Sequence, residues 1–117
     1  MIGEDGFRRL VAAFYRRVPA DGILAPIYRG RDLVAAENRL RGFLIYRFGG
    51  PEDYIQQRGH PRLRMRHAPF PIGQSARDHW IELMTAALDE ANLPGEAKTL
   101  LENFFHSTAT FLINRAE

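Results

Sequence analysis

The residues that could do chemistry crowd one stretch, RGHPRLRMRHAPFPIGQSARDHW, residues 58–80. Its prolines, arginines and histidines make it too polar for a core helix and too regular in spacing for a tail. Cysteine is absent, which excludes disulfide staples, thiol catalysis and thiolate-held zinc or iron–sulfur clusters. Histidine, carboxylates and tyrosine remain as strong metal ligands. His60 and His67 do not have the HExxH spacing of a zinc protease. His79 and His106 fall within helical patterns, where a histidine more often packs or hydrogen-bonds than binds metal. His67 differs: Leu63 lies one turn before it on the same face, and Ala-Pro-Phe follows immediately. It would project from a short helix into an apolar space as the chain turns away.

A single imidazole facing aromatic and aliphatic walls is what an open haem site requires. The histidine supplies nitrogen to the iron, the walls cover the porphyrin, and cations at the rim meet the propionates. Arg58, Arg62, Arg64 and Arg66 surround His67 in sequence. Nucleic acid is the competing use for these arginines. However, Arg62 and Arg66 share a helical face from which Arg64 points away, so they make no single stripe. No nucleic-acid partner is expected.

The elements that must position these residues are helical. Phe7, Leu10, Val11, Phe14 and Val18 follow one helical face and predict a first helix over about residues 5–18, closed by PADG. Leu33, Ala36, Leu40, Phe43 and Leu44 predict a second, stopped at Gly49-Gly50-Pro51. The connection between them, DGILAPIYRG, has room for about one helical turn around Pro26. After residue 50 the pattern fades, and Pro61 to about His67 fits a short helix bounded by Pro69. Ser75 with Asp78 resembles a capping box opening a helix that carries Trp80, Met84, Ala87, Leu88 and Ala91 on one face. Asn92 to Gly95 turns into a last helix marked by Leu101, Phe104, Phe105, Thr108 and Leu112. No strand pattern or repeat appears. A long proline-rich connection in so small a domain is usually functional.

The length of 117 residues predicts one domain, residues 1–117. Apolar residues make up 45% and charged residues 26%, which places the chain among ordinary globular proteins rather than disordered ones. No run approaches a membrane span, and MIGEDGFRR lacks the basic and then apolar order of a signal peptide. A cytoplasmic protein without membrane association is expected. The net charge is +2 although the pI is about 9.4, a consequence of arginine supplying nearly all the basic side chains, and it does not imply a polyanionic partner.

Together, GGPEDYIQQRGHPRLRMRHAPFPIGQSARDHW, FYRRV near the start and the tyrosine at position 28 resemble the group II truncated haemoglobins, from about Gly3 to Asn114. The resemblance is carried by the GGP stop, the RGHPRLRMRHAPF block and a tryptophan thirteen residues after the histidine. It implies an all-α fold, a two-over-two helical sandwich around haem b. His67 then matches the axial iron ligand, and Tyr15, Tyr28 and Trp80 match the distal trio. Ala36 matches the position where many globins place a distal histidine, and Leu40 the pocket position one turn on. Phe14, Phe43, Leu44, Phe70, Ile72 and Met84 match apolar pocket or core positions, and Arg66 and Tyr54 match residues near the propionates. The family's short segment before the first helix is expected to be missing here, with the haem ligands unaffected.

Taken without the resemblance, Phe14, Phe43 and Phe104 are core aromatics. Trp80 could be one too. Tyr15 sits beside Phe14 in a helix whose apolar face is complete without it. With the resemblance, all three distal residues have a use. Dioxygen in such a site takes up negative charge, and Tyr15 and Trp80 can donate to it. The implied function is binding of O2, NO, CO and, in the ferric state, anions or sulfide, with O2 release slowed by one to several orders of magnitude. Slow release suits redox detoxification of NO and O2, or peroxidase-like activity, better than oxygen transport. No flavin or nicotinamide motif is present, so sustained turnover calls for a separate reductase. The alternative is a gas or redox sensor acting through a partner protein, as monomer or homodimer.

Overall fold

The computed structural model describes residues 3–49 and 67–116. Among these residues there are helices and no strands: α1 (Gly3–Arg17), a 3-10 turn (Val18–Ala20), α2 (Leu24–Tyr28), α3 (Leu33–Gly49), α4 (Gln74–Ala91) and α5 (Gly95–Phe111). The described residues thus form the all-α fold that the sequence predicts. The first helix begins and ends slightly before the expected 5–18, because Val18 passes into the 3-10 turn, whose start accommodates Pro19. Glu4 and Asp5 in its first turn and Arg16 and Arg17 in its last oppose the helix dipole.

α1 is the central element and packs against both α3 and α4, while α4 packs on α5. Its inward face seals Leu10, Val11 and Phe14 completely, and Leu44, Met84, Leu88 and Leu101 meet it from the other three long helices. Arg9 donates to the Ala91 carbonyl at 2.8 Å, which satisfies one of the open carbonyls at the end of α4. Arg16 and Arg17 pair with Glu90 of the same helix end.

The connection between α1 and α3 contains one helical turn, as its proline predicts. Asp21 caps it, accepting from the Ile23 and Leu24 amides at 2.9 and 2.8 Å. Gly30, with φ of 78°, turns the chain after Tyr28. Asn92, at φ 53°, ends α4 in the left-handed conformation that asparagine tolerates.

The capping box at Ser75 is not formed. Gly73 takes the N-cap position with extended backbone and no side-chain cap, so Ser75 already lies in the first turn. The Asp78 carboxylate is engaged instead by Gln74 at 2.8 Å and Arg77 at 3.1 Å. The expected short helix from Pro61 lies outside the described residues except for His67, which is helical.

Candidate functional site

Three helices bring the expected distal trio together. Tyr15 comes from the end of α1, Tyr28 ends α2, and Trp80 lies nearly two turns into α4. The Tyr15 and Tyr28 rings meet edge to face with centroids 5.8 Å apart. Phe14 contacts both Tyr15 and Trp80 at 5.0 Å. Trp80 also meets Phe105 of α5 at 5.5 Å, a neighbour that the sequence reading placed only in the core of the last helix.

The polar tips are coupled. Burial drives the Tyr15 phenol far above tyrosine's ordinary range, and the neighbouring Tyr28 raises it further. Burial also raises Tyr28, while hydrogen bonds from Tyr15 and Trp80 pull it partly back. Tyr28 interacts with both Tyr15 and Trp80, and because an indole N–H can only donate, the Tyr28 oxygen is the acceptor toward Trp80. Both phenols stay protonated at physiological pH, so three potential donors converge in otherwise apolar surroundings.

Next to this cluster, α3 presents apolar side chains that the helices only half cover. Ala36 and Leu44 are buried, but Leu33, Leu40, Phe43, Ile45 and Phe48 are half-buried. The extended packing of α3 is with α1. It reaches α5 through rings: Phe43 stacks on Phe104 at 6.2 Å, and Phe48 meets Phe104 edge-on at 5.2 Å. Phe14, Leu44 and Met84, expected as pocket or core residues, are sealed core.

His67, Phe70 and Ile72 lie on the segment leading into α4, each half-buried. The His67 and Phe70 rings are 6.2 Å apart, and the Arg31 guanidinium lies over Phe70 at 4.6 Å. This cation–π contact ties the turn after Tyr28 to the turn after His67. Tyr54 and Arg66, expected near the propionates, lie outside the described residues, as do Arg58, Arg62 and Arg64. No group of three histidine or acidic side chains able to hold a metal exists among the described residues.

His79 and His106 hydrogen-bond as structural histidines do: His79 Nδ1 lies 3.0 Å from Asp21, and His106 Nδ1 lies 3.3 Å from Arg77. The first pair matters to the site, because Asp21 caps the helix that ends in Tyr28 and His79 precedes Trp80. The sequence reading took Asp21 only as part of the turn closing α1. A second feature it missed is Asn114, which hydrogen-bonds the segment bearing His67.

Helices throughout the described residues, this polar trio, a half-covered apolar α3 and a histidine on the segment leading into α4 together have the character of a truncated globin. The bacterial-like globin family model matches residues 1–114. The group 2 truncated haemoglobin YjbI of Bacillus subtilis is 38% identical over 116 residues, covering 99% of this chain and 87% of that protein. Among solved structures, the haemoglobin of the thermophilic phototroph Chloroflexus aurantiacus is 50% identical with a TM-score of 0.84, covering 97% of this chain and 93% of that one. The truncated oxygen-avid haemoglobin of Bacillus subtilis is 38% identical with a TM-score of 0.84, covering 97% and 95%. The chain belongs to the bacterial-like globins, and the relatives that match nearly its whole length include group 2 truncated haemoglobins. That membership implies haem-based binding of small ligands. No helix among the described residues is long and apolar enough to cross a membrane.

Proposed function

We propose that this chain binds haem b with His67 as the iron ligand, holds dioxygen with the Tyr15–Tyr28–Trp80 cluster, and serves NO and O2 redox detoxification rather than oxygen transport. The observation that carries this reading is the convergence of two phenols and an indole N–H, all uncharged, beside the half-covered apolar face of α3. A globular chain this size would ordinarily bury such rings among hydrocarbon. The residues fit the group: a lone imidazole makes no metal site by itself, and a porphyrin brings the remaining nitrogens together with a flat apolar body. When bound, haem supplies reversible binding of diatomic gases and one-electron chemistry.

The protein's own part is positioning and polarity. His67 would hold the cofactor, and the small Ala36 side chain brings no second imidazole to compete for it. Leu40 and Phe43 from α3 and Phe70 and Ile72 from the His67 segment would provide apolar cover. Trp80 can only donate, and burial keeps Tyr15 protonated. Both therefore favour a ligand that gains negative charge over a neutral one such as CO. The oxygen-avid character of the Bacillus subtilis protein supports the reading.

Consumption of nitric oxide balances as NO + O2 + e⁻ → NO3⁻, so a separate reductase must return one electron per cycle. The test is stopped-flow mixing of the oxygenated protein with nitric oxide, followed by addition of an electron donor. Stoichiometric nitrate with repeated turnover is expected. Slow reaction with NO, or a single turnover that no donor renews, would refute the detoxification role and favour a sensor working through a partner protein.

A further inference from the structure

We propose that Asn114 is a positioning residue for His67, fixing the direction of its imidazole through the backbone of the turn that His67 opens. The inference rests on His67 being the haem-iron ligand.

The turn from His67 to Ile72 cannot hold itself. Pro69 and Pro71 have no N–H, so few donors remain in it. One internal bond closes it, from the Phe70 amide to the His67 carbonyl at 2.9 Å. Further support comes from beyond α5. The Asn114 side-chain nitrogen donates to the His67 carbonyl at 3.0 Å, and its side-chain oxygen accepts from the Ile72 amide at 3.0 Å. The Asn114 backbone amide donates to the Ile72 carbonyl at 2.8 Å, joined there by the Arg115 amide at 3.1 Å.

One planar amide thus bridges the two ends of the turn. Its orientation is settled by its partners, since only the carbonyl end can face the Ile72 N–H and only the amine end the His67 carbonyl. The His67 carbonyl is bonded to the Cα that carries the imidazole. Restraining it restrains the direction of the Cα–Cβ bond, and with it the tilt of the ring toward whatever it ligates. The same bridge links the C-terminal end of α5 to the ligand side of the site, much as metal-bound histidines elsewhere are held by groups beyond the ligands themselves.

The experiment uses the haem-loaded protein, dithionite-reduced, read by resonance Raman at the iron–histidine stretch, together with amide exchange at Ile72 in the haem-free protein. Asn114→Leu removes both side-chain bonds. It should shift or broaden the stretch and speed Ile72 exchange by about tenfold or more. Asn114→Asp keeps an acceptor for Ile72 and places a charged acceptor against the His67 carbonyl. It should leave Ile72 exchange near its original rate yet still move the stretch, which a merely structural role would not do. His67→Gly runs in parallel. A stretch lost there and unchanged in both Asn114 variants would overturn the positioning role while leaving His67 as ligand. A stretch that persists in His67→Gly would overturn the ligand reading itself, and this proposal with it.

Discussion

Trp80→Phe separates the donor role of Trp80 from its packing. Phenylalanine keeps an aromatic ring between Phe14 and Phe105, 5.0 and 5.5 Å from their centroids in the native chain, and removes the N–H together with part of the ring's bulk, whose effect the neutral-ligand control reports. A hydrogen bond to a charged partner contributes about 1.5–3 kcal/mol net, and one between neutral groups about 0.5–1.5 kcal/mol. Sequence alone sets the indole against water or nothing, hence the expectation of one to several orders of magnitude in O2 release. The Tyr28 oxygen is a competing acceptor for the indole N–H. The gain on meeting a charged ligand is therefore the difference between the two bonds, about 1–1.5 kcal/mol when the ends of the ranges are matched. That corresponds to roughly five- to twelve-fold in affinity, most of it expressed in dissociation. The assay is displacement of O2 by CO in a stopped-flow spectrometer, with CO dissociation as the neutral-ligand control. An unchanged O2 rate would refute the donor role. Acceleration beyond about a hundredfold would refute the offset by Tyr28.

Tyr28→Phe removes the competing acceptor of the Trp80 N–H, so O2 dissociation should slow rather than accelerate; a faster rate in the same displacement assay would mean that Tyr28 acts as a donor. The His79–Asp21 pair should make stability pH-dependent. The hydrogen bond that His79 donates to Asp21 raises His79 against the opposing effect of burial, so that contribution is whole below the ordinary histidine value and disappears as pH rises through the raised one. Burial tends to raise Asp21, but His79 and the Leu24 and Ile23 amides outweigh it and hold it low, so its contribution is whole above the ordinary aspartate value and is lost as pH falls through the lowered one. The pair stabilises most between about pH 4 and 6.5. Asp21→Asn, which keeps a cap for α2, should cost more stability by urea denaturation at pH 5.5 than at pH 8.5, and equal cost at both would refute the pairing. Phe14→Ala should destabilise the haem-free chain by about 3–5 kcal/mol, because Phe14 is fully buried; a loss under about 1 kcal/mol in the same titration would contradict its place at the centre of the core.

The long helices were legible because each presents an uninterrupted apolar face between strong stops. PADG ends the first, and Asn92 with Pro94 separates the last two. The single turn of α2 was legible from Pro26, which suits the start of a helix and little else there. Ser75 misled because a capping box needs its serine at the N-cap with extended backbone, and Gly73 holds that conformation two residues earlier. At the candidate site, the resemblance to the group II truncated haemoglobins implied Tyr15, Tyr28 and Trp80, but not how their polar tips meet. That depends on α1, α2 and α4 meeting, a tertiary fact without periodic signal. Asn114 was invisible for the same reason: its partners lie 47 and 42 residues away, and it stands beyond the last apolar residue of a recognisable helix.

The most direct test of the central claim is the absorption spectrum of the purified chain titrated with haemin and recorded in ferric, dithionite-reduced and CO-bound forms. The account predicts one haem per chain, a five-coordinate reduced spectrum and clean conversion with CO. A Soret band that never reaches stoichiometry, or a six-coordinate reduced form that CO fails to convert, would contradict an open histidine-held haem site.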